Sequence, residues 1–223
     1  MSYLLHINTA LETAFVGISK DGAVATYRKN ESQKEHGAFL QPAIKEISSV
    51  TGISLTQIDA VSVINGPGSY TGLRVGLSAA KGICYALHKP LICLSTLKWL
   101  AFPFRGRPAE MICPLIDARR MEVFTTCFNP SLEYLKREEN MIVDNNSFPE
   151  LDQNRIIFTG NGREKLPEII KTQRNSIFPD SSSGMEEQSH MANMAYDKKE
   201  FSDLAYAEPF YLKSFYIPVK NKL

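Results

Sequence analysis

The stretch NGPGSYTGLRVGLSAAKG, residues 65 to 82, constrains the fold of this chain more than any other. Three glycines and a proline fall within eight residues, directly after the apolar run IDAVSVIN at 58–65. That composition demands a tight turn out of a buried strand, followed by a helix. Within that helix Gly72, Gly76 and Ala80 recur at i, i+4 and i+8, with Leu73 and Ala79 beside them and Ile83 completing the row. Glycine inside a helix costs about 0.5–1 kcal/mol relative to alanine. Two on one face therefore imply close approach by another backbone. One reading packs this ridge against the chain's own sheet. The other makes it a subunit interface of Phe39, Ala43, Gly72, Leu73, Gly76, Ala79, Ala80 and Ile83, and expects Gly76→Leu to expel a partner while sparing the fold.

The loop itself lacks the marks of the common phosphate and nucleophile motifs. Thr71-Gly72 is followed by Leu73-Arg74, so no lysine stands where a P-loop needs one. Gly66-x-Gly68 begins a dinucleotide fingerprint, but its third glycine position holds Thr71. Ser69 has no G-x-S-x-G frame, and the histidines lie at positions 6, 36, 88 and 190. What remains is either an anion loop built on the amides around Gly66, Gly68 and Ser69 at a helix start, or a turn that simply needs glycine.

The rest of the chain alternates strands and helices. YLLHIN (3–8), TAFVGISK (13–20) and AVATYRK read as strands, with Asp21-Gly22 as the hairpin turn between the last two. Ala14, Val16 and Ile18 share one face of the second. Phe39, Leu40, Ala43, Ile44, Ile47 and Val50 recur at helical spacing, and Gly52 ends that helix. A helix over 71–87 stops before Pro90, and LICL follows as a strand. AFPFRGRPA (101–109) marks a boundary between residues 1–103 and 104–223, with a tail able to pack back on the first part. Beyond it, MICPLID (111–117), MEVFTTCF (121–128) and RIIFTG (155–160) read as strands, NGREKLPEII opens a helix, and another starts near Met185. Each half opens on a strand ending in an Asx residue, Asn8 or Asp117, which suits two similar α/β lobes.

Composition narrows the function. A net charge of +1 offers no basic stripe for unaided nucleic-acid binding. The four cysteines, at 84, 93, 113 and 127, sit among apolar residues without C-x-x-C spacing, which reads as reduced, buried thiols. The start MSYLLHINTA has no basic leader, and no run approaches the roughly 20 apolar residues of a membrane span. A cytoplasmic location is expected.

GPGSYTGLRVGLSAAKGI, LLHINTA, EHGAFLQPAI, LSTLKWLA, IDARRMEVF and AEPFYLK together resemble the TsaB (YeaZ) family in order and spacing, over most of the chain. The glycine-rich block is the specific part, and 129–200 carries little. The resemblance implies an actin/hexokinase-like (ASKHA) fold of two α/β lobes. It also implies a place in the complex that makes N6-threonylcarbamoyladenosine (t6A) in tRNA. There the subunit pairs with the catalytic TsaD and works with the ATPase TsaE, meets tRNA indirectly through the complex, and forms a homodimer when alone. ATP and a metal ion belong to the assembled complex, and none is expected on this subunit by itself.

Residue chemistry points the same way. Active members of the fold end the first strand in an aspartate, where this chain has Asn8, which brings no charge to a magnesium site. The following TALET has no glycine to wrap phosphate oxygens. Asp117 opens the matching hairpin, but Ala118, Arg119 and Arg120 fill the place where phosphate loops use glycine. Arg119 and Arg120 suit ion pairing with RNA or a partner, or are solvated turn residues. Gly160 and Gly162 either face a nucleotide or make a turn. His36 after Glu35 has no second histidine at helical spacing and reads as a helix-start or interface residue. A non-catalytic subunit is the expectation, the alternative being a stand-alone ATP-dependent phosphotransferase. A peptidase would need a nucleophile or metal set that the sequence lacks.

Overall fold

The computed structural model describes residues 1–213. Chain order runs β1 (Tyr3–Asn8), β2 (Ala14–Lys20), β3 (Ala23–Asn30), α1 (His36–Thr51), β4 (Ala60–Gly66), α2 (Tyr70–Leu87), β5 (Leu91–Ser95) and α3 (Thr96–Ala101). The second half gives β6 (Met111–Asp117), β7 (Glu122–Thr125), β8 (Glu139–Ile142), β9 (Ile156–Thr159), α4 (Glu168–Lys171), β10 (Ser176–Ile177) and α5 (Met185–Asp197).

The first sheet is ordered β3-β2-β1-β4-β5 and the second β10-β9-β6-β7-β8. In each, the lobe's first strand is central, pairs antiparallel with the second and parallel with the fourth. Each sheet thus lists its strands, from one edge to the other, as third, second, first, fourth, fifth. The echo between Asn8 and Asp117 is a duplicated topology, the two-lobed ASKHA-like fold.

β1 is central and covered on both faces, which explains why Leu4, Leu5 and Ile7 are all apolar on successive faces of the strand. Leu5 and Ile7 pack with Leu40, Ile44 and Ile47 of α1 and Leu77 and Ala80 of α2. On the opposite face Leu4 joins a second cluster with Trp99, Met191 and Ala192, supplied by α3 and α5. The chain therefore returns, through α5, to the first sheet. Turn chemistry matches the residues: Asp21 and Gly22 both take positive φ in the β2–β3 hairpin, and Gly52 caps α1 at φ 68°.

Prolines explain where strand and helix patterns break. MEVFTTCF is not one strand; β7 stops at Thr125. Pro114, opposite Thr126, has no N–H to donate, and Thr125 Oγ1 instead donates to the Pro114 carbonyl at 2.9 Å. The pairing resumes at Phe128 and Ile112. Pro167 likewise divides NGREKLPEII into a 3₁₀ turn at Asn161–Lys165 and the single turn α4. The cysteines depart from expectation. Cys113 and Cys127 face each other with Cα atoms 4.5 Å apart and are joined as a disulfide, because the β6–β7 register is centred on the turn between them. Cys84 and Cys93 are free, and burial pushes the Cys84 thiol to about 12 and the Cys93 thiol upward.

Under α5 lies a buried polar cluster. His6 joins Ser62 Oγ and Ser19 Oγ, each at 2.7 Å, and Gln188 Nε2 of α5 donates to the Ile7 carbonyl at 3.1 Å. Burial lowers the His6 pKa to about 3, so the folded protein holds it neutral while the unfolded chain protonates near 6.5. Below 6.5 the unfolded state binds the extra proton, so stability falls with pH from there towards 3, by about 1.4 kcal/mol per unit. Urea denaturation between pH 7 and 5, above the carboxylate range, should show this slope. His6→Gln should flatten it; an unchanged slope would assign it elsewhere.

Candidate functional site

The glycine ridge faces inward. Gly72 and Gly76 are buried against β1 and the residue after it. A Cβ on Gly72 would overlap the Thr9 carbonyl oxygen, and one on Gly76 would overlap Thr9 Oγ1 and crowd Ile7. Thr9 Oγ1 in turn donates to the Gly72 carbonyl at 2.7 Å. Leu73 and Ala80 are fully buried and Ala43 nearly so. Gly72, Leu73, Gly76, Ala80 and Ala43 therefore cannot face a partner; the backbone that approaches the ridge is the chain's own. Phe39, Ala79 and Ile83 differ, being half-buried at the outer edge of the same cluster.

α1 and α2 lie side by side, and their outer surface holds what the inward ridge does not. Val75, Ala79, Gly82, Ile83 and Ala86 share one face of α2 at helical spacing, half-buried or exposed. A Cβ on Gly82 would meet none of the described residues within 4 Å. Tyr85 and Val50 stand 77% and 62% exposed on these helices. His36 begins α1 but is buried, and its Nε2–H donates to the Leu11 carbonyl at 2.9 Å. It is a helix-start residue, not an interface one.

Between the lobes lies a cleft of about 750 Å³, lined among others by Glu12, Gly68, Ser69, Asp117, Arg119, Arg120 and Asn161. The loop and hairpin residues singled out in the sequence thus share one cavity, except Gly66, whose seat is taken by the Phe210 carbonyl at φ 134°. The loop's polar groups are engaged from within. Ser69 N–H donates to the Ala10 carbonyl at 2.7 Å, and Ser69 Oγ caps α2 by accepting from Gly72 N–H at 3.3 Å. That same Ala10 carbonyl fills the space where Gly68 would carry a Cβ. Gly160 and Gly162 similarly abut the β6 backbone at Leu115 and Ile116, which accounts for them as a close-packed turn.

The acids of the cleft are paired. Burial pushes Asp117 up, but hydrogen bonds from Lys165 Nζ at 2.5 Å and the Arg119 amide outweigh it and hold the carboxyl below its usual range. Lys213 Nζ, 2.5 Å away, and then Asn140 lower Glu122. Arg119 and Arg120 form the hairpin tip with φ of 65° and 52°, torsions usually given to glycine or asparagine.

At the end of β1 the chain offers no carboxylate to a nucleotide's metal. Asn8 is 1% exposed, absent from the cleft wall, and spends Oδ1 on Ala10 N–H at 3.1 Å. The atom it leaves without a partner is Nδ2, a donor, which cannot ligate a cation. Among the described residues no three His, Cys, Asp or Glu side chains gather as a metal site, and no helix is long and apolar enough to cross a membrane.

Sequence reasoning missed two features, the open Gly82 face and the Asn161 Nδ2 to Glu12 Oε1 hydrogen bond of 3.1 Å between lobes, whereas the expected docking of the tail on the first lobe is seen through Lys213. Only Gly82 had a local signal, a third glycine inside the helix.

Comparisons with known proteins bear on this site. The family model "TsaD: tRNA N6-adenosine threonylcarbamoyltransferase" matches residues 28–207. The tRNA threonylcarbamoyladenosine biosynthesis protein TsaB of Escherichia coli is 35% identical over 140 residues, 62% of this chain and 57% of that protein. The protein of the same name from Buchnera aphidicola subsp. Schizaphis graminum is 30% identical over 171 residues, covering 76% and 70%. The matched stretches span 57, 51 and 62% of the first three curated relatives. A crystal structure described as an uncharacterized protein with similarity to peptidase YeaZ, from Pseudomonas aeruginosa, superposes with a TM-score of 0.81 at 26% identity, covering 96% of this chain and all of that one.

Proposed function

This chain belongs to the TsaB (YeaZ) family, and on that premise we propose that it is a non-catalytic subunit of the cytoplasmic machinery forming t6A in tRNA. In this reading it binds TsaD through the outer face of α1 and α2, with TsaE joining the complex and tRNA met through it. The observation that carries the docking face is Gly82. A glycine in the middle of an 18-residue helix sacrifices about 1 kcal/mol, and no neighbour among the described residues requires it. The half-buried Phe39, Val75, Ala79 and Ile83 supply the apolar surface around it. In the absence of TsaD the same face would pair two copies of this chain.

The test is co-purification with the organism's TsaD, with and without TsaE and ATP, alongside reconstituted t6A formation. Loss of modification when this chain is omitted, with a stable complex when it is present, supports the subunit role. Full activity of TsaD and TsaE without it defeats that role.

The reading also holds that the isolated chain binds no nucleotide. The uncharged, buried Asn8 and the carbonyls of Ala10 and Phe210 that fill the glycine seats support this. Calorimetric titration with Mg-ATP should give no saturable heat up to millimolar concentration. Micromolar binding, lost in Asp117→Asn, would favour the phosphotransferase alternative.

A further inference from the structure

After α5 the chain crosses from one lobe to the other. Lys81 Nζ of α2 first donates to the Ala205 and Ala207 carbonyls at 3.2 and 2.9 Å. Phe210 N–H then donates to the Asn65 carbonyl at 2.8 Å, and Asn65 Nδ2 donates to the Glu208 carbonyl at 3.4 Å. Gly66 leaves room for the Phe210 carbonyl, as no residue with a side chain would. Next, the Tyr211 ring stacks on Tyr70 with centroids 4.9 Å apart, and its hydroxyl accepts from Arg74 Nε at 3.0 Å. All these anchors belong to the first lobe. Two residues later the contact changes sides, where Lys213 pairs with Glu122 on β7 of the second lobe.

Phe210 to Lys213 form one wall of the interlobe cleft. Phe210 and Tyr211 remain 41% and 38% exposed and Leu212 alone of the segment packs, half-buried, against the apolar cluster, so this segment is held mainly by a few discrete contacts. Segments with little buried apolar surface open far more readily than the fold unfolds. Side-chain hydrogen bonds also join the lobes from Asn161 Nδ2 to Glu12 Oε1 at the cleft and from Ser95 Oγ to Glu138 Oε1 at 2.9 Å.

We propose that Glu208–Lys213 is a strap that ties the two lobes across the cleft mouth, and that opening of the cleft requires release of its Lys213–Glu122 end. Among the described residues the strap is fastened to the first lobe by several hydrogen bonds and a ring stack. Beyond it the strap is held by the Lys213–Glu122 ion pair and the half-buried Leu212 against the apolar cluster both lobes share, so the second-lobe end lets go first. Access to the cleft is then set by the tail, whichever partner the α1–α2 face binds.

Hydrogen exchange on the whole chain tests this. Lys213→Glu, and separately truncation after Ala207, should speed amide exchange in residues 67–73 and 117–124 by about tenfold or more. Protection in α1 and β9 should stay unchanged, which reports an intact fold. The charge swap Glu122→Lys with Lys213→Glu should bring exchange in both cleft walls back to within about twofold of the parent, because it restores the pair. Unchanged exchange in the cleft walls after truncation overturns the proposal. So does failure of the charge swap to restore protection while Lys213→Glu alone has raised exchange.

Discussion

Gly76→Leu is expected to destabilise the isolated chain by about 3 kcal/mol or more, at the upper end of what overpacking costs. For a chain of this size that lowers the melting temperature by roughly 6–12 °C. A Cβ at this position already overlaps Thr9 Oγ1, and the leucine branch must also displace Ile7 at the centre of the first sheet. The sheet cannot recede, because α3 and α5 occupy its other face. The movement would also break the Thr9–Gly72 hydrogen bond that fastens α2 to the end of β1. Gly72→Ala should behave similarly with one methyl group, since its obstacle is the Thr9 backbone carbonyl. Differential scanning fluorimetry on the purified protein, with no partner present, measures both. A melting temperature unchanged by Gly76→Leu, together with lost TsaD binding, would restore the outward-facing ridge that the sequence also allowed.

The glycine ridge shows where sequence reading ends. Spacing of Gly72, Gly76 and Ala80 establishes that a backbone comes close to α2, because no other cause explains two glycines on one buried helical face. It does not say whose backbone. That follows from β1 lying central in the sheet, a fact of strand order that no local pattern contains. Features set by residues close in sequence were readable: the Asp21-Gly22 turn, the Gly52 cap, the helix starting at Met185, and the shared core face of Val16 and Ile18 in β2. Features set by register were not. The Cys113–Cys127 disulfide depends on a hairpin whose centre lies at Arg120, and the end of β7 depends on the missing Pro114 donor across the ladder. Within the site, Gly68, Ser69, Asp117, Arg119 and Arg120 do meet in one cleft, since both sheets deliver their first hairpins to it. The tail's aromatic character was visible, and its docking holds for the segment through Lys213; the basic end at 214–223 lies outside the described residues.

Gly82→Arg separates the docking face from the fold and should have the opposite signature to Gly76→Leu. None of the described residues lies within 4 Å of a Cβ there, so the side chain extends outward without displacing their packing. Arginine is among the better helix formers, and replacing a mid-helix glycine should raise stability by up to about 1 kcal/mol. Binding should respond in the other direction. A partner backbone drawn close to Gly82 would meet a long charged side chain between Ala79 and Ala86, where it must be desolvated or must hold the surfaces apart. TsaD association, followed by calorimetry or size exclusion, should weaken at least about 100-fold, a loss of roughly 2.7 kcal/mol. Self-association of the chain should weaken with it, because both uses are assigned to one face. Arginine at Ile142, 65% exposed on β8 of the second lobe, makes the control: it adds the same charge away from the α1–α2 face and should leave TsaD binding within a few-fold of the parent. Unimpaired TsaD binding by a well-folded Gly82→Arg protein would remove the α1–α2 face from the interface, and the mid-helix glycine would then have neither an internal nor an external reason.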